Sequence, residues 1–134
     1  MIMNMFDKKS FKIVVVDDSD FSRAQMTHIL SQEGFSVVAE ASSAEDAIKA
    51  VAEKKPNLVI TDIVMPNISG IELADKININ FGGVSVIMIS SLRHEQIILE
   101  SISKGVIDFI SKPIDPIQLI ESVEKCFNLS LKEG

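Results

Sequence analysis

Five polar residues in the sequence could together carry out phosphoryl chemistry. Three carboxylates that lie close together repel one another, and a hard divalent cation such as Mg²⁺ relieves this repulsion. A carboxylate can also accept a phosphoryl group directly, while a lysine neutralises the phosphoryl oxygens and a hydroxyl group donates a hydrogen bond to them. The residues that could form such a set are Asp17, Asp18, Asp62, Ser90 and Lys112.

Each of these residues has a more ordinary role when it is taken alone. An acidic pair after a strand is more often a turn or a helix cap, and Asp62 could simply end a strand. Ser90 could be the last residue of a strand, and Lys112 a solvated charge in a loop. The set becomes specific only because its members follow four different predicted strands.

The predicted strands are short apolar runs. The runs at 13–16, 58–60 and, apart from Ser85, 84–89 are continuous, which is typical of parallel strands with both faces covered. The runs at 35–39 and 106–110 are interrupted by Ser36 and Asp108, so we place them nearer the edges of the sheet. Pro66 and Gly70 cannot comfortably continue the strand that leads to Asp62. The carboxyl ends of parallel strands meet at one edge, where ligands bind.

Helical patterns alternate with these strands. Ser19 can cap the first helix, Ser42 or Ser43 the second, and Asp115 the last. Five strand–helix units with right-handed crossovers predict an α/β fold, a doubly wound three-layer sandwich. We assign residues 11–129 to this domain, 1–10 to a loose leader and 130–134 to a polar tail.

Composition excludes several classes of function. The 134 residues carry a formal net charge of −6, which argues against direct nucleic-acid binding and against an anionic membrane surface. The sequence contains no run of about 18 apolar residues, so we expect no membrane insertion. The single cysteine, Cys126, lies among apolar residues, so we expect a buried thiol and a cytoplasmic protein. His28 and His94 lack a second ligand nearby in sequence, so we expect surface positions.

The motifs resemble those of response-regulator receiver domains of two-component signalling, over about residues 11–128. The acidic pair matches Asp17-Asp18, and the acceptor motif matches Asp62 with Met65-Pro66-x-x-x-Gly70. The switch residue matches Ser90, and an aromatic residue three positions before Lys-Pro matches Phe109 with Lys112-Pro113. The chain is most similar to chemotaxis-type single-domain members, and its 89–92 and 107–109 segments to chemotaxis methylesterase receivers. The resemblance implies a flavodoxin-like (βα)5 sheet of order 2-1-3-4-5.

The resemblance also implies a role for each matching residue. Asp62 is the phosphoacceptor, and Lys112 pairs with the phosphoryl group. Asp18 and Asp62 bind Mg²⁺, or alternatively Mn²⁺, through their side chains, Asp17 does so through water, and the backbone carbonyl of Val64 completes the protein ligands. The Lys112–Pro113 peptide bond is cis. The switch residues are Ser90 and Phe109.

The implied partners are a sensor histidine kinase or a phosphotransfer protein, and a downstream protein target. The target surface comprises the fourth predicted helix, at 94–104, with the fifth strand and the fifth helix. Ile97, Ile98 and Leu99 are adjacent on that fourth helix, so at least one of them should be exposed. The resemblance implies a signalling protein without enzymatic activity beyond its own phosphorylation and dephosphorylation.

Three alternatives remain open at this point. The first is a Mg²⁺-dependent phosphatase with Asp62 as its nucleophile, although such enzymes usually carry a second acid where this chain has Val64. The second is a receiver cut from a longer response regulator. The third is a phosphate-independent pseudo-receiver, which the intact acids and lysine disfavour.

Val64 and Leu92 replace polar residues found in many receivers, and therefore predict slow self-dephosphorylation.

Overall fold

The computed structural model describes residues 5–92 and 94–133, which fold into a parallel sheet between two layers of helices. The strands are β1 (Lys12–Val16), β2 (Ser36–Ala41), β3 (Leu58–Asp62), β4 (Ser85–Ser90) and β5 (Val106–Ser111). The helices are α1 (Met5–Ser10), α2 (Asp20–Gln32), α3 (Ala44–Lys54), α4 (Gly70–Asn80), α5 (Glu95–Ser103) and α6 (Pro116–Glu133). The strand order β2-β1-β3-β4-β5 confirms the predicted topology and places the two interrupted strands at the edges.

Serine side chains start three of the helices. The hydroxyl groups of Ser19, Ser43 and Ser69 accept hydrogen bonds from backbone N–H groups one turn into α2, α3 and α4, each at 3.2 Å. These bonds satisfy N–H groups that have no partner within the helix. Of the two serines that the sequence offered before α3, the structure uses Ser43.

Both faces of the sheet are apolar, as the continuous runs predict. Along β1, Ile13 and Val15 pack against α2 and α6, whereas Val14 and Val16 pack against α3 and α4. All four side chains are fully buried. Two apolar layers therefore hold the strands in place and leave the strand ends to carry polar groups.

The ends of the chain differ from the sequence-based expectation. The described part of the predicted leader is helix α1, and α6 continues through Glu133 instead of giving way to a tail at Ser130. Lys8 accounts for the position of α1, because its ammonium group pairs with Glu124 of α6 at 3.4 Å and lies 5.0 Å from the centre of the Phe35 ring. These contacts are tertiary, so the local sequence did not reveal them. Residues 1–4 and residue 134 lie outside the described residues.

Cys126 is buried in the core, as its apolar neighbours predict. In the described part of the chain, we find no helix with the length and apolar character required to cross a membrane.

Candidate functional site

The fold brings the five polar residues to the carboxyl edge of the sheet. Asp17 follows β1, Asp62 and Ser90 end β3 and β4, and Lys112 follows β5. Backbone pairing continues to these positions, because the N–H of Asp17 donates to Ala41 at 3.1 Å and the N–H of Lys112 donates to Ser90 at 2.9 Å. The strand ladder therefore fixes where each of these side chains begins.

Lys112 connects two of the acids. Its Nζ donates to Oδ2 of Asp17 at 2.9 Å and to Oδ2 of Asp62 at 3.0 Å. Asp17 is fully buried and Asp62 is 7% exposed, so both carboxylates are largely shielded from water. Lys112 begins the loop to α6, and its peptide bond to Pro113 is cis.

The acidic cluster has the donor set of a hard divalent cation. One carboxylate oxygen from each of Asp17, Asp18 and Asp62 lies within 4.8 Å of the other two. Asp18 is exposed, and no hydrogen bond from the described residues reaches its carboxylate. Three carboxylates at one edge, one of them facing solvent, match the all-oxygen coordination that Mg²⁺ prefers. The residues present therefore fit the metal ion.

The loop after Asp62 requires glycine at position 70. The N–H of Gly70 donates to the carbonyl of Ile63 at 2.8 Å, which brings the start of α4 against the end of β3. A Cβ atom at position 70 would collide with the backbone carbonyl of Asp62. The glycine eight residues after Asp62 therefore permits the close turn that places the acid at the edge.

The ionisable groups at this edge are perturbed. Burial raises the pKa of Asp62, and the opposing effect of the Lys112 ammonium does not cancel it. Burial alone would lower the pKa of Lys112, but hydrogen bonds to Asp17 and Asp62 outweigh that effect and the pKa is raised. Lys112 is therefore a permanent positive charge at neutral pH, and the Asp62 carboxylate is held in a site that penalises its charge.

Ser90 and Phe109 lie on neighbouring strands near the same edge. Ser90 is fully buried, and its hydroxyl accepts a hydrogen bond from the N–H of Leu92 at 3.0 Å. Phe109 pairs with Met88 in the sheet and is partly buried against the α3–α4 side of the core. Ser90 and Phe109 therefore lie on adjacent strands, close to the end of each.

Exposed apolar side chains occur on α5 and β5. Ile97 and Ile98 are partly buried, whereas Leu99 is 57% exposed, which confirms that the three adjacent residues cannot all face the core. Ile102 on α5 and Ile107 on β5 are also half exposed. His28 and His94 are exposed, as expected, and neither belongs to the acidic cluster.

Sequence reasoning missed one residue at the site. Arg23 on α2 donates from Nη1 to the backbone carbonyl of Asp17 at 2.6 Å, so it contacts the loop that carries the acidic pair. The available signal was an arginine three residues after Asp20, a spacing at which side chains on a helix meet. That spacing predicts the ion pair with Asp20, which the structure contains, but not the reach to Asp17.

Known proteins resemble this chain over most of its length. The family model described as response regulator receiver domain matches residues 13–124. The chemotaxis protein CheY of Listeria monocytogenes is 36% identical over 114 residues, which are 85% of this chain and 96% of that protein. The protein-glutamate methylesterase/protein-glutamine glutaminase of Thermotoga maritima is 40% identical over 111 residues, which are 81% of this chain and 32% of that protein. The solved CheX-CheY-BeF3-Mg²⁺ complex from Borrelia burgdorferi contains a chain with a TM-score of 0.82 and 35% identity, covering 87% of this chain and 89% of that one.

Proposed function

Because the chain belongs to the response regulator receiver family of two-component signalling, we propose that it accepts a phosphoryl group on Asp62 in a Mg²⁺-dependent reaction. The observation that carries this proposal is the contact of Lys112 with both Asp17 and Asp62, beside a third acid at the same edge. A lysine held by two carboxylates is positioned to meet the negative charge of an incoming phosphoryl group.

The chain's own residues would hold the metal ion. Asp18 and Asp62 would ligate it through their side chains, Asp17 through water, and Val64 through its backbone carbonyl. The buried Asp17 already uses Oδ1 to accept from the N–H of Ser19 and Oδ2 to accept from Lys112, which supports an indirect role. When bound, Mg²⁺ would neutralise charge on the phosphoryl oxygens; Mn²⁺ offers the same oxygen chemistry.

The transfer itself forms one bond and breaks one bond. A carboxylate oxygen of Asp62 attacks the phosphorus of a phosphohistidine on a sensor kinase or phosphotransfer protein. The bond between phosphorus and the imidazole nitrogen breaks, and the imidazole leaves with the electron pair. Lys112 remains charged throughout and stabilises the phosphoryl oxygens. The product is an aspartyl phosphate, and each chain carries one such group.

The signal would leave through Ser90 and Phe109. A phosphoryl oxygen on Asp62 would carry negative charge and would therefore be a strong acceptor. The Ser90 hydroxyl, which accepts from the N–H of Leu92 in this structure, would turn to donate to it. Phe109 is only partly buried, and burial would favour its movement into the space that Ser90 leaves. The affected surface comprises α5, β5 and α6, whose exposed Leu99, Ile102 and Ile107 would meet a downstream protein target.

Labelling with acetyl phosphate tests the acceptor. The protein should incorporate one phosphoryl group per chain in Mg²⁺ and none in a chelator. Asp62→Ala should abolish incorporation, whereas Asp46→Ala, which removes an exposed acid on α3, should not. Stoichiometric labelling of the Asp62→Ala protein would refute the assignment. Many turnovers of a phosphate ester per chain would instead indicate a phosphatase.

Beryllofluoride, a stable mimic of the phosphoryl group, tests the switch. With Mg²⁺ it should shift backbone amide signals across residues 90–112 more than across β2 and α3. Asp62→Ala should remove both sets of shifts. If the shifts stay confined to the neighbours of Asp62 and the signals of Phe109 do not move, the proposed route through Ser90 and Phe109 is wrong.

A further inference from the structure

Arg23 makes three contacts from one side chain at the edge of the acidic cluster. Nη1 donates to the backbone carbonyl of Asp17 at 2.6 Å, and Nη2 donates to the carboxylate of Asp20. Nε lies 3.5 Å from Oε1 of Glu40 at the end of β2. The Arg23 side chain is 15% exposed, whereas the side chains of Asp20 and Glu40 are 93% and 41% exposed.

The carbonyl of Asp17 belongs to the peptide unit that joins Asp17 to Asp18. Holding that carbonyl fixes the plane of the peptide and therefore the direction in which the Asp18 side chain leaves the backbone. No hydrogen bond from the described residues fixes the Asp18 carboxylate itself. The orientation of Asp18 therefore depends on the peptide plane before it.

We propose that Arg23 is a positioning residue for the metal ion, because it holds the peptide that aims Asp18; this inference rests on the proposed Mg²⁺ site. Residues that hydrogen-bond to metal ligands commonly increase metal affinity, because they fix the orientation of the ligands. The other polar groups of Asp17 are already engaged, since its N–H donates to Ala41 and its two carboxylate oxygens accept from Ser19 and Lys112. Without Arg23, the carbonyl of this fully buried residue would lose its side-chain donor.

The guanidinium group suits this task better than an ammonium group would. It is planar and presents donors in several fixed directions, so one side chain can contact a carbonyl and two carboxylates at once. Asp20 and Glu40 hold the plane of the guanidinium group from its other sides. A lysine would keep the charge, but its ammonium group could not reproduce these fixed donor directions.

The sign of the effect on Mg²⁺ affinity separates positioning from simple electrostatics. Arg23 is a cation near a site for a cation, so its charge alone would weaken Mg²⁺ binding. Removal of that charge would therefore strengthen binding if charge were its only role. Positioning predicts the opposite result, because a misdirected Asp18 is a poorer ligand.

Calorimetric titration of the full chain with MgCl₂ tests the inference. Arg23→Met should weaken Mg²⁺ affinity about tenfold, in the range seen for residues that support metal ligands. Arg23→Lys should also weaken it, although the charge is retained. Lys49→Met, which removes an exposed cation on α3, should stay within about twofold of the wild type, because the ion pair of Lys49 with Glu45 is exposed. Phosphorylation of Arg23→Met by acetyl phosphate should approach the wild-type rate at saturating Mg²⁺.

The outcomes distinguish this inference from the proposed function. If Asp18→Asn weakens Mg²⁺ binding and Arg23→Met does not, or binds more tightly, the role of Arg23 is overturned and the metal site stands. If Asp18→Asn has no effect, the metal site and the role of Arg23 both fail. If Arg23→Met does not fold, Arg23→Lys decides the question in the same way, because unchanged affinity in that variant contradicts positioning by the guanidinium group.

Discussion

At the carboxyl edge of the sheet, the chain gathers carboxylates and a lysine; at the opposite edge, it gathers aromatic rings. Phe11, Phe35 and Phe127 meet edge to face at the amino edge, with ring centres 5.4–6.1 Å apart, and each ring is at most 4% exposed. Asp17, Asp62 and Lys112 meet at the other edge, where burial raises the pKa of Asp62. A single strand length separates the two groups.

The two edges contribute differently to the stability of the fold. Buried aromatic rings contribute apolar burial and favourable ring geometry, and so they stabilise the fold. At the other edge, two buried carboxylates share a single ammonium group, and burial still raises the pKa of Asp62, so the negative charge at this edge costs stability. The same parallel strands carry both groups, and this allows a reactive site to remain costly while the fold as a whole stays stable.

The largest expected effect is at the amino edge. Phe127→Ala should lower the free energy of unfolding by about 3–5 kcal/mol, because it leaves a cavity among packed rings. Leu129→Ala, two residues further along α6 at a position 57% exposed, should cost much less. Urea unfolding measures both. A loss in Phe127→Ala no greater than in Leu129→Ala would contradict the assignment of stability to this edge.

Mg²⁺ should offset the cost in stability of the acidic edge. It would bind the folded protein, in which the three acids are assembled, and at ten times its dissociation constant it would add about 1.4 kcal/mol to the free energy of unfolding. The melting temperature should therefore rise by a few degrees, and Asp18→Asn should reduce the increase. A melting curve that does not move across millimolar Mg²⁺ would argue against an assembled site.

The pH dependence of stability should reveal the cost of Asp62. Its pKa is raised above the ordinary value of 3.8, so the folded protein binds this proton more tightly than the unfolded chain does. The contribution of Asp62 to stability therefore falls as pH rises from 3.8 through its folded-state pKa. In metal-free buffer, Asp62→Asn should be more stable than the wild type at neutral pH, and the gain should disappear in acid. Chemical unfolding over a pH series measures it, and an unchanged gain at every pH would contradict this cause.

The smallest expected effect concerns two apolar residues at the otherwise polar edge. Val64 is 57% exposed and Leu92 partly buried, and neither offers a hydrogen bond to a water molecule attacking an aspartyl phosphate. Val64→Asn or Leu92→Glu should therefore speed dephosphorylation about fivefold, which corresponds to one ordinary hydrogen bond. Decay of labelled protein after removal of the donor measures the rate. If both variants decay at the wild-type rate, these residues do not set the lifetime.

Local sequence patterns predicted the strands and most helix starts. Continuous apolar runs identified the central strands, and serines before α2 and α3 identified their caps, because these signals depend on neighbouring residues only. The ends of the chain were harder. α1 depends on the contact of Lys8 with Glu124, and the last turns of α6 on packing of Leu131 against the core, so neither has a local signature.

The sequence by itself determined the members of the candidate site, because acids, serine and lysine at the ends of apolar runs in a parallel sheet must reach one edge. Gly70 was visible as a motif residue, but the reason for it, contact with the carbonyl of Asp62, required the structure. Tertiary structure alone decided that Lys112 joins Asp17 to Asp62 and that Arg23 reaches the carbonyl of Asp17. Long flexible side chains can reach several partners, and only the packed positions of the strands and of α2 select among them.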